Sequence, residues 1–242
     1  MSRLAALLMA LCAGAFALSS PFLLGSIRVT RPWVSPSAFL TAQALETLVF
    51  CLIATWAGTR FAPRAALDAP WLRSVAERRN SPPDLGAMVI EAAAVGSVTA
   101  IAVTAVGLML RSSVPEGLSR PLPAGFWVRA SSAFHGGIIE ETMVRWGMLP
   151  VLIAVLQRAR LRATFWPANV LAALIFGALQ LPLLAWARVP LTGPVVAYAL
   201  AGNAIAGVVF GWMLKRRGLE GAMVAHGATD VWLHAALPAL LA

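Results

Sequence analysis

The stretch IIEETMVRWG, residues 138–147, carries two adjacent carboxylates and a guanidinium inside a hydrophobic part of the chain. Glu141 and Arg145 are four residues apart, so on a helix they lie on one face with the acid nearer the amino terminus, as ion pairing favours. Glu140 is turned by about 100° from Glu141 and cannot share that geometry. The spacing predicts a structural ion pair between Glu141 and Arg145, and it leaves Glu140 in need of another partner.

A second polar pair lies in AMVAHGATDVW, residues 222–232. His226 and Asp230 are again four residues apart, and a carboxylate one turn from an imidazole fixes the tautomer and orientation of the ring. The residues next to His226 are small, which lets another helix approach closely. We therefore expect His226 to be the partner of Glu140. His234 continues the same face, but it is expected at the membrane interface.

The chain is so hydrophobic that each of its few charged residues within an apolar block calls for an explanation. The 242 residues are 60% hydrophobic and 12% charged, with a mean hydropathy of +0.79, whereas a soluble domain is about half apolar and a quarter charged. The apolar residues form blocks of about twenty, the length that crosses a hydrocarbon core of roughly 30 Å. The sequence predicts an all-α, polytopic transmembrane bundle. Ionisable side chains at membrane depth are costly, so each is a candidate functional residue.

The predicted bundle is a single transmembrane domain over residues 1–242, of which 126–241 carry the motifs. We place seven spans near 4–25, 36–58, 86–110, 126–157, 167–187, 191–214 and 219–241. The first is expected to be a retained helix rather than a cleaved signal peptide. The 59–85 connection is expected to be a basic segment on the membrane surface, with Trp71 as an interfacial anchor. Glu46 and Glu91 stand alone in their spans, and each is expected to be protonated or bonded to a neighbouring helix.

The arginine and lysine residues orient this bundle. With the amino terminus and alternate loops on one side, 12 of them lie on that side and 6 on the other. The positive-inside rule then places the amino terminus in the cytoplasm and the carboxyl terminus outside. Because loops that meet anionic lipid account for the net charge of +9, that charge does not indicate nucleic-acid binding. We expect a multi-pass protein of the cell (inner) membrane.

The ordered motifs resemble a known family. EETMVR (140–145) matches the EExxxR motif of the CAAX-protease and bacteriocin-processing family, also called Abi proteins, which are related to the CAAX prenyl endopeptidase. Members carry FxxxH in a following helix and HxxxN or HxxxD in a later one. FGALQLP (176–182) and HGATD (226–230) stand at the corresponding places, and the segment 207–226 is similar to the family's approach to the last motif. The resemblance covers roughly residues 130–235.

This resemblance implies a glutamate-type intramembrane endopeptidase that acts on a hydrophobic or lipid-associated peptide or protein. Glu140, the first glutamate of the motif that also contains Glu141, would activate a water with help from the residue at position 180. His226 and Asp230 would stabilise the oxyanion or orient the substrate. A buried polar pocket between the helices would supply the water that peptide hydrolysis needs. No metal or other cofactor is implied.

The chain departs from the family pattern at Gln180, where members have histidine. Phe176 and Pro182 fit the pattern, so the alignment at this position is secure. Glutamine can hold a water by hydrogen bonds but cannot take up a proton, so we expect a weakened or inactive enzyme. The substitution is compatible with a natural variant, a degenerate enzyme or an engineered change.

Two other functions could use the same residues. A non-catalytic membrane protein would use the pocket to capture a hydrophobic peptide or to assist a partner. Metal-dependent hydrolysis would use Glu140, His226 and Asp230 as zinc ligands, but without a second histidine the set is poor. Transport is less favoured, because no interrupted helices occur in corresponding halves of the chain. Dependence of cleavage on Glu140 separates an enzyme from a binding protein, and sensitivity to a chelator separates the two hydrolytic mechanisms.

Overall fold

The structure is a computed structural model that describes residues 2–79, 84–115 and 122–240. Residues 80–83 of the 59–85 connection and residue 241 of the last predicted span lie outside these ranges. All regular elements within the ranges are helical, which confirms the predicted all-α class. The elements are α1 (Arg3–Thr30), α2 (Pro36–Phe61), α3 (Pro70–Glu77), α4 (Leu85–Leu110), α5 (Phe126–Ala130), α6 (Ser132–Phe134), π1 (His135–Glu140), π2 (Thr142–Met148), α7 (Leu149–Arg158), α8 (Phe165–Leu179), α9 (Leu181–Trp186), α10 (Gly193–Arg217), α11 (Leu219–Asp230), π3 (Val231–Ala236) and α12 (Leu237–Leu240), with 3₁₀ turns at Ala62–Ala65 and Arg111–Ser113.

Membrane-spanning character is clearest in the long apolar helices. Within the described ranges, five are long and apolar enough to cross a membrane: Arg3–Thr30, Pro36–Ala65, Leu85–Ser113, Phe165–Trp186 and Gly193–Arg217. They coincide with five of the seven predicted spans. The other two predicted spans contain the charged motifs, and their helices are interrupted by π-helical segments. Helical backbone satisfies its own hydrogen bonds, as a lipid environment requires. The count of seven stays a prediction.

Residues 126–158, called the motif helix below, run through α5, α6, π1, π2 and α7. This helix packs against α1, α2 and α11. Its contact with α2 depends on Gly147, where a Cβ atom would lie only 2.6 Å from the Cβ of Ala54. Since small residues let helix backbones approach closely in a membrane, this glycine sets the motif helix directly against α2.

The core lies between the motif helix, α4, α8, α10 and α11. Trp146 and Leu149 of the motif helix and Phe210 and Met213 of α10 are almost fully buried in one apolar cluster. Exposed apolar side chains, such as Trp56 of α2, cover the outer faces. That outward-facing apolar surface is what contact with hydrocarbon requires. The charged motif residues of the sequence therefore lie on the inward faces of the helices.

The 59–85 connection is more closely packed than a simple surface segment. Its helix α3 packs against α1 and α11, and Leu72 is buried. The backbone N–H of Leu72 donates to the Glu220 carboxylate of α11 at 2.7 Å. Trp71, expected as an interfacial anchor, is partly buried against the core cluster. The connection thus fastens α11, the helix of His226, at one end of the bundle.

The two lone carboxylates have different surroundings. Glu91 of α4 pairs with Arg216 and Arg217 at the end of α10, so it is bonded to a neighbouring helix, one of the two roles expected for it. Glu46 lies on the exposed side of α2. Neither side chain lines the cavity described next.

Candidate active site

A cavity of about 300 Å³ lies where the motif helix, α4, α8, α10 and α11 meet. Four of the five predicted catalytic residues line it, namely Glu140, Gln180, His226 and Asp230. They come from three parts of the chain that are far apart in sequence. Further polar side chains in the lining are Ser132, His135, Tyr198, Asn203, Thr229 and His234. The fold therefore collects the predicted residues around one pocket.

Glu141, the remaining predicted residue, is fully buried behind the cavity lining. Its Oε1 lies 3.3 Å from Nη1 of Arg145, whose side chain is only 2% exposed. The same oxygen accepts a hydrogen bond from Nδ1 of His226 at 2.8 Å. Arg145 also donates from Nη2 to the carbonyl oxygen of Gly207 at 2.9 Å. The Glu141–Arg145 pair thus joins the motif helix to both α10 and α11.

The orientation of His226 differs from the one expected from the sequence. His226 hydrogen-bonds Glu141 rather than Glu140, and because an ionised carboxylate only accepts, the ring donates from Nδ1. Nε2 therefore faces the cavity, 3.8 Å from Oε2 of Glu140 and 3.7 Å from Oδ1 of Asp230. The ring also stacks on Phe210, with centroids 4.5 Å apart. These contacts hold the imidazole in one orientation.

Glu140 is the carboxylate that faces the open space of the pocket. Its side chain is 23% exposed, and its oxygens lie 3.9 Å from Nε2 of His135 and 3.8 Å from Nε2 of His226. Both distances are too long for a direct hydrogen bond. Polar atoms at this separation are suited to sharing a water. The carboxylate is thus placed where it can act on a water rather than serve as an internal ion-pair partner.

Gly136 permits this arrangement. A Cβ atom on Gly136 would collide with the Asp230 carboxylate and would lie 2.8 Å from Nε2 of His226. At Gly137 a Cβ would lie 2.8 Å from the carbonyl oxygen of Met223. Because no larger residue fits, the two glycines allow the backbone of π1 to lie directly against α11. The distance from Glu140 to His226 depends on this close approach.

Gln180 and His234 complete the polar rim. Gln180 lies at the junction of α8 and α9, where Pro182 occupies the first turn of α9, and it lines the same cavity as Glu140. His234 lies 3.9 Å from Oδ1 of Asp230, and its side chain is 45% exposed. Its ring packs against Phe22 of α1. His234 is therefore at the outer edge of the pocket.

The described ranges contain no group of three His, Cys, Asp or Glu side chains with the geometry of a metal site. Glu140, His226 and Asp230, the set considered as zinc ligands, line the cavity. Nε2 of His226 lies within 4 Å of a carboxylate oxygen from each of the other two. Such a cluster of hydrogen-bonding groups is suited to a water or a polar substrate group.

The cavity also contains polar residues that the sequence pattern did not single out. His135, Tyr198 and Asn203 all line it. His135 is an ionisable residue within a predicted span, and that signal alone could have marked it as a candidate. The other two residues lie on α10 and carry no charge, so nothing in the sequence distinguishes them from ordinary polar residues of a buried helix.

A comparison with known protein families matches the part of the chain that carries this site. The family model described as type II CAAX prenyl endopeptidase Rce1-like matches residues 122–232, slightly less than half of the chain. The matched range includes the motif helix and all five predicted catalytic residues, so the resemblance found in the motifs is confirmed over this range. The match supports a multi-pass membrane protein of the CAAX-protease kind. No curated protein and no solved structure matches the chain.

Proposed function

We propose that the chain is an intramembrane endopeptidase that hydrolyses a peptide bond of a membrane-associated substrate with a water activated by Glu140. The observation that carries this proposal is the position of the Glu140 carboxylate. It faces the cavity, and its two oxygens lie just under 4 Å from the imidazoles of His135 and His226. A carboxylate placed in this way can remove a proton from a bound water, which is the central requirement of the reaction.

Each residue of the site has a separate role in the proposed hydrolysis. Glu140 takes one proton from the water, and the resulting hydroxide attacks the carbonyl carbon of the scissile bond. A positively charged His226 donates from Nε2 to the carbonyl oxygen, which gains negative charge in the transition state. Asp230 balances this ring and orients it. Glu140 then returns its proton to the leaving nitrogen as the C–N bond breaks.

Glu141 and Arg145 have a positioning role in this scheme. The hydrogen bond from Nδ1 of His226 to Glu141 holds Nε2 toward the cavity. Arg145 compensates the charge of Glu141 in a site from which water is excluded. Because a buried carboxylate without a partner is costly, Arg145 lets Glu141 hold the imidazole without disturbing the fold.

The lining of the cavity supports a hydrophobic peptide as substrate. Apolar side chains from α1, α4 and π3 also line the cavity, including Phe22, Val103, Val106 and Leu233. Ligand pockets of this kind bind apolar groups along most of their surface and use a few polar groups for orientation. We infer that a hydrophobic segment lies along the apolar wall, with its scissile carbonyl next to Glu140.

A second candidate is a non-catalytic membrane protein that binds such a segment without cleaving it. Gln180 favours this alternative, because the family pattern has a proton-accepting histidine at this position and a glutamine only holds hydrogen bonds. The cavity itself is equally compatible with binding. Cleavage and binding must therefore be measured on the same preparation.

The test uses the purified full chain in nanodiscs with a panel of quenched fluorescent membrane peptides, prenylated CAAX peptides among them. We expect slow cleavage by the unchanged protein and none by Glu140→Gln, which should still bind the peptide. Glu46→Gln is the matched control, because it makes the same substitution on the exposed side of α2. Binding without cleavage by every form would support the binding protein. Cleavage that persists in Glu140→Gln would exclude Glu140 as the base.

A further inference from the structure

The cavity contains an imidazole that is not part of the family motifs. His135 lines the pocket, and its Nε2 lies 3.9 Å from Oε1 of Glu140. The other oxygen of Glu140 lies 3.8 Å from His226. The carboxylate thus stands between two imidazoles, although Gln180 replaces the histidine of the second motif. A proton-accepting ring is present beside Glu140 without any contribution from position 180.

The π-helical segment π1, which begins at His135 and ends at Glu140, brings these two residues together. Around an α-helix, residues five apart are separated by about 140° and face different sides. In a π-helix, backbone hydrogen bonds join residue i to residue i+5, so such residues lie one turn apart on the same side. The local winding of the motif helix therefore places both side chains on the cavity.

The surroundings of His135 suit a group that acts on water. Its side chain is 21% exposed and that of Glu140 is 23% exposed, so both reach the open space of the cavity. Nδ1 of His135 is buried and has no hydrogen-bond partner among the described residues. Because no described protein group bonds Nδ1, the surrounding protein does not fix the tautomer of the ring. Nε2 is the nitrogen that lies next to Glu140, and it is placed to accept from a water in the pocket.

We propose that His135 is a further catalytic residue, which supplies next to Glu140 the imidazole that the chain lacks at position 180. This inference rests on the proposed peptidase function and deepens it. His135 and Glu140 hold the attacking water between them. Gln180 keeps the secondary role of a hydrogen-bonding group in the lining of the same cavity.

With this assignment, both protons of the attacking water are accounted for. Glu140 takes the first proton of the water, the oxygen bonds to the carbonyl carbon, and the C–N bond breaks as Glu140 protonates the leaving nitrogen. As the tetrahedral intermediate collapses, the second proton of the water passes from its hydroxyl group to Nε2 of His135, so that the product leaves as a carboxylate. The protonated ring then releases this proton to solvent. No oxidant, metal or other reactant is required.

The proposal is tested by exchanging the imidazole between two positions. His135→Gln should lower kcat/KM by about 10²–10⁴, the usual contribution of general acid–base catalysis. The double variant His135→Gln with Gln180→His should regain at least tenfold, because it restores an imidazole at the family position. A purely structural role of His135 would not produce this rescue. Each variant is first checked for a single monodisperse peak and an unchanged melting temperature.

His234→Gln serves as the comparison, since it removes an imidazole that neighbours Asp230 rather than Glu140. It should cost less than His135→Gln, and Gln180→His should not rescue it. If His135→Gln fails to fold, His135→Asn with and without Gln180→His replaces it in the same comparison.

The outcomes separate the two proposals. Full activity of a folded His135→Gln variant, together with loss of activity in Glu140→Gln, would overturn the role of His135 and leave the peptidase function intact. Loss of activity in His135→Gln without rescue by Gln180→His would also overturn it. If no form shows cleavage that depends on Glu140, both the peptidase function and the role of His135 are wrong.

Discussion

Replacing Arg145 by methionine tests how the site is held in a membrane. Arg145 is 2% exposed and Glu141 is fully buried, with 3.3 Å between Nη1 and Oε1. Methionine has a similar length and volume, so the substitution removes charge and hydrogen bonds while it leaves little empty space. Breaking a buried ion pair by removing one partner costs about 3–5 kcal/mol, because the other charge stays buried. The carbonyl oxygen of Gly207 also loses its donor. We therefore expect Arg145→Met to lower the free energy of unfolding by at least about 3 kcal/mol.

The double variant Glu141→Gln with Arg145→Met should lose less stability than the sum of the two single changes. It removes both charges, and the glutamine oxygen can still accept from Nδ1 of His226. We expect a coupling energy of about 1.5–3 kcal/mol, in the upper range for residues in direct contact. Arg158→Met is the matched control, since Arg158 is exposed at the end of α7 and surface changes are usually within about 0.5 kcal/mol.

Unfolding is followed in mixed micelles by titration with a denaturing detergent, with the fluorescence of the nine tryptophans as the signal. The reasoning is refuted if Arg145→Met is as stable as Arg158→Met. It is also refuted if the double variant shows no coupling, because the contact between Glu141 and Arg145 would then contribute nothing to stability.

Further predictions concern packing, topology and metal dependence. Gly136→Ala should abolish cleavage and lower the melting temperature, because its Cβ would lie 2.8 Å from Nε2 of His226. The control Gly125→Ala should change neither cleavage nor melting temperature, because there is open space around the new Cβ atom. Reporter fusions at Ala242 and within 59–85 should report opposite sides of the membrane, and the same side for both would contradict the predicted topology. Cleavage should be unaffected by a divalent-metal chelator, and inhibition that added zinc reverses would support the metal mechanism instead.

Residue types and their spacing were enough to predict the all-α membrane class and to single out most residues of the candidate site. Long apolar blocks predict spanning helices because only a helix satisfies its backbone in lipid, and five such helices lie at predicted spans. The charges at 140–145 and 226–230 point to a site because charge is costly at membrane depth. Their order along the chain resembles the family whose model matches residues 122–232. These are properties of residue type and spacing, which a sequence displays directly.

The pairing of the polar groups depends on the packing of the helices and could not be read from residue spacing. The α-helical spacing predicted His226 as the partner of Glu140, whereas Nδ1 of His226 bonds Glu141 and its other nitrogen faces the cavity. His135 was missed because an α-helix would turn it away from Glu140, and the π-helical winding of π1 turns it back. The close contact of Gly136 with α11 sets these distances. Differences of about an ångström decide which groups are bonded, and such differences arise from packing between helices that lie far apart in the chain.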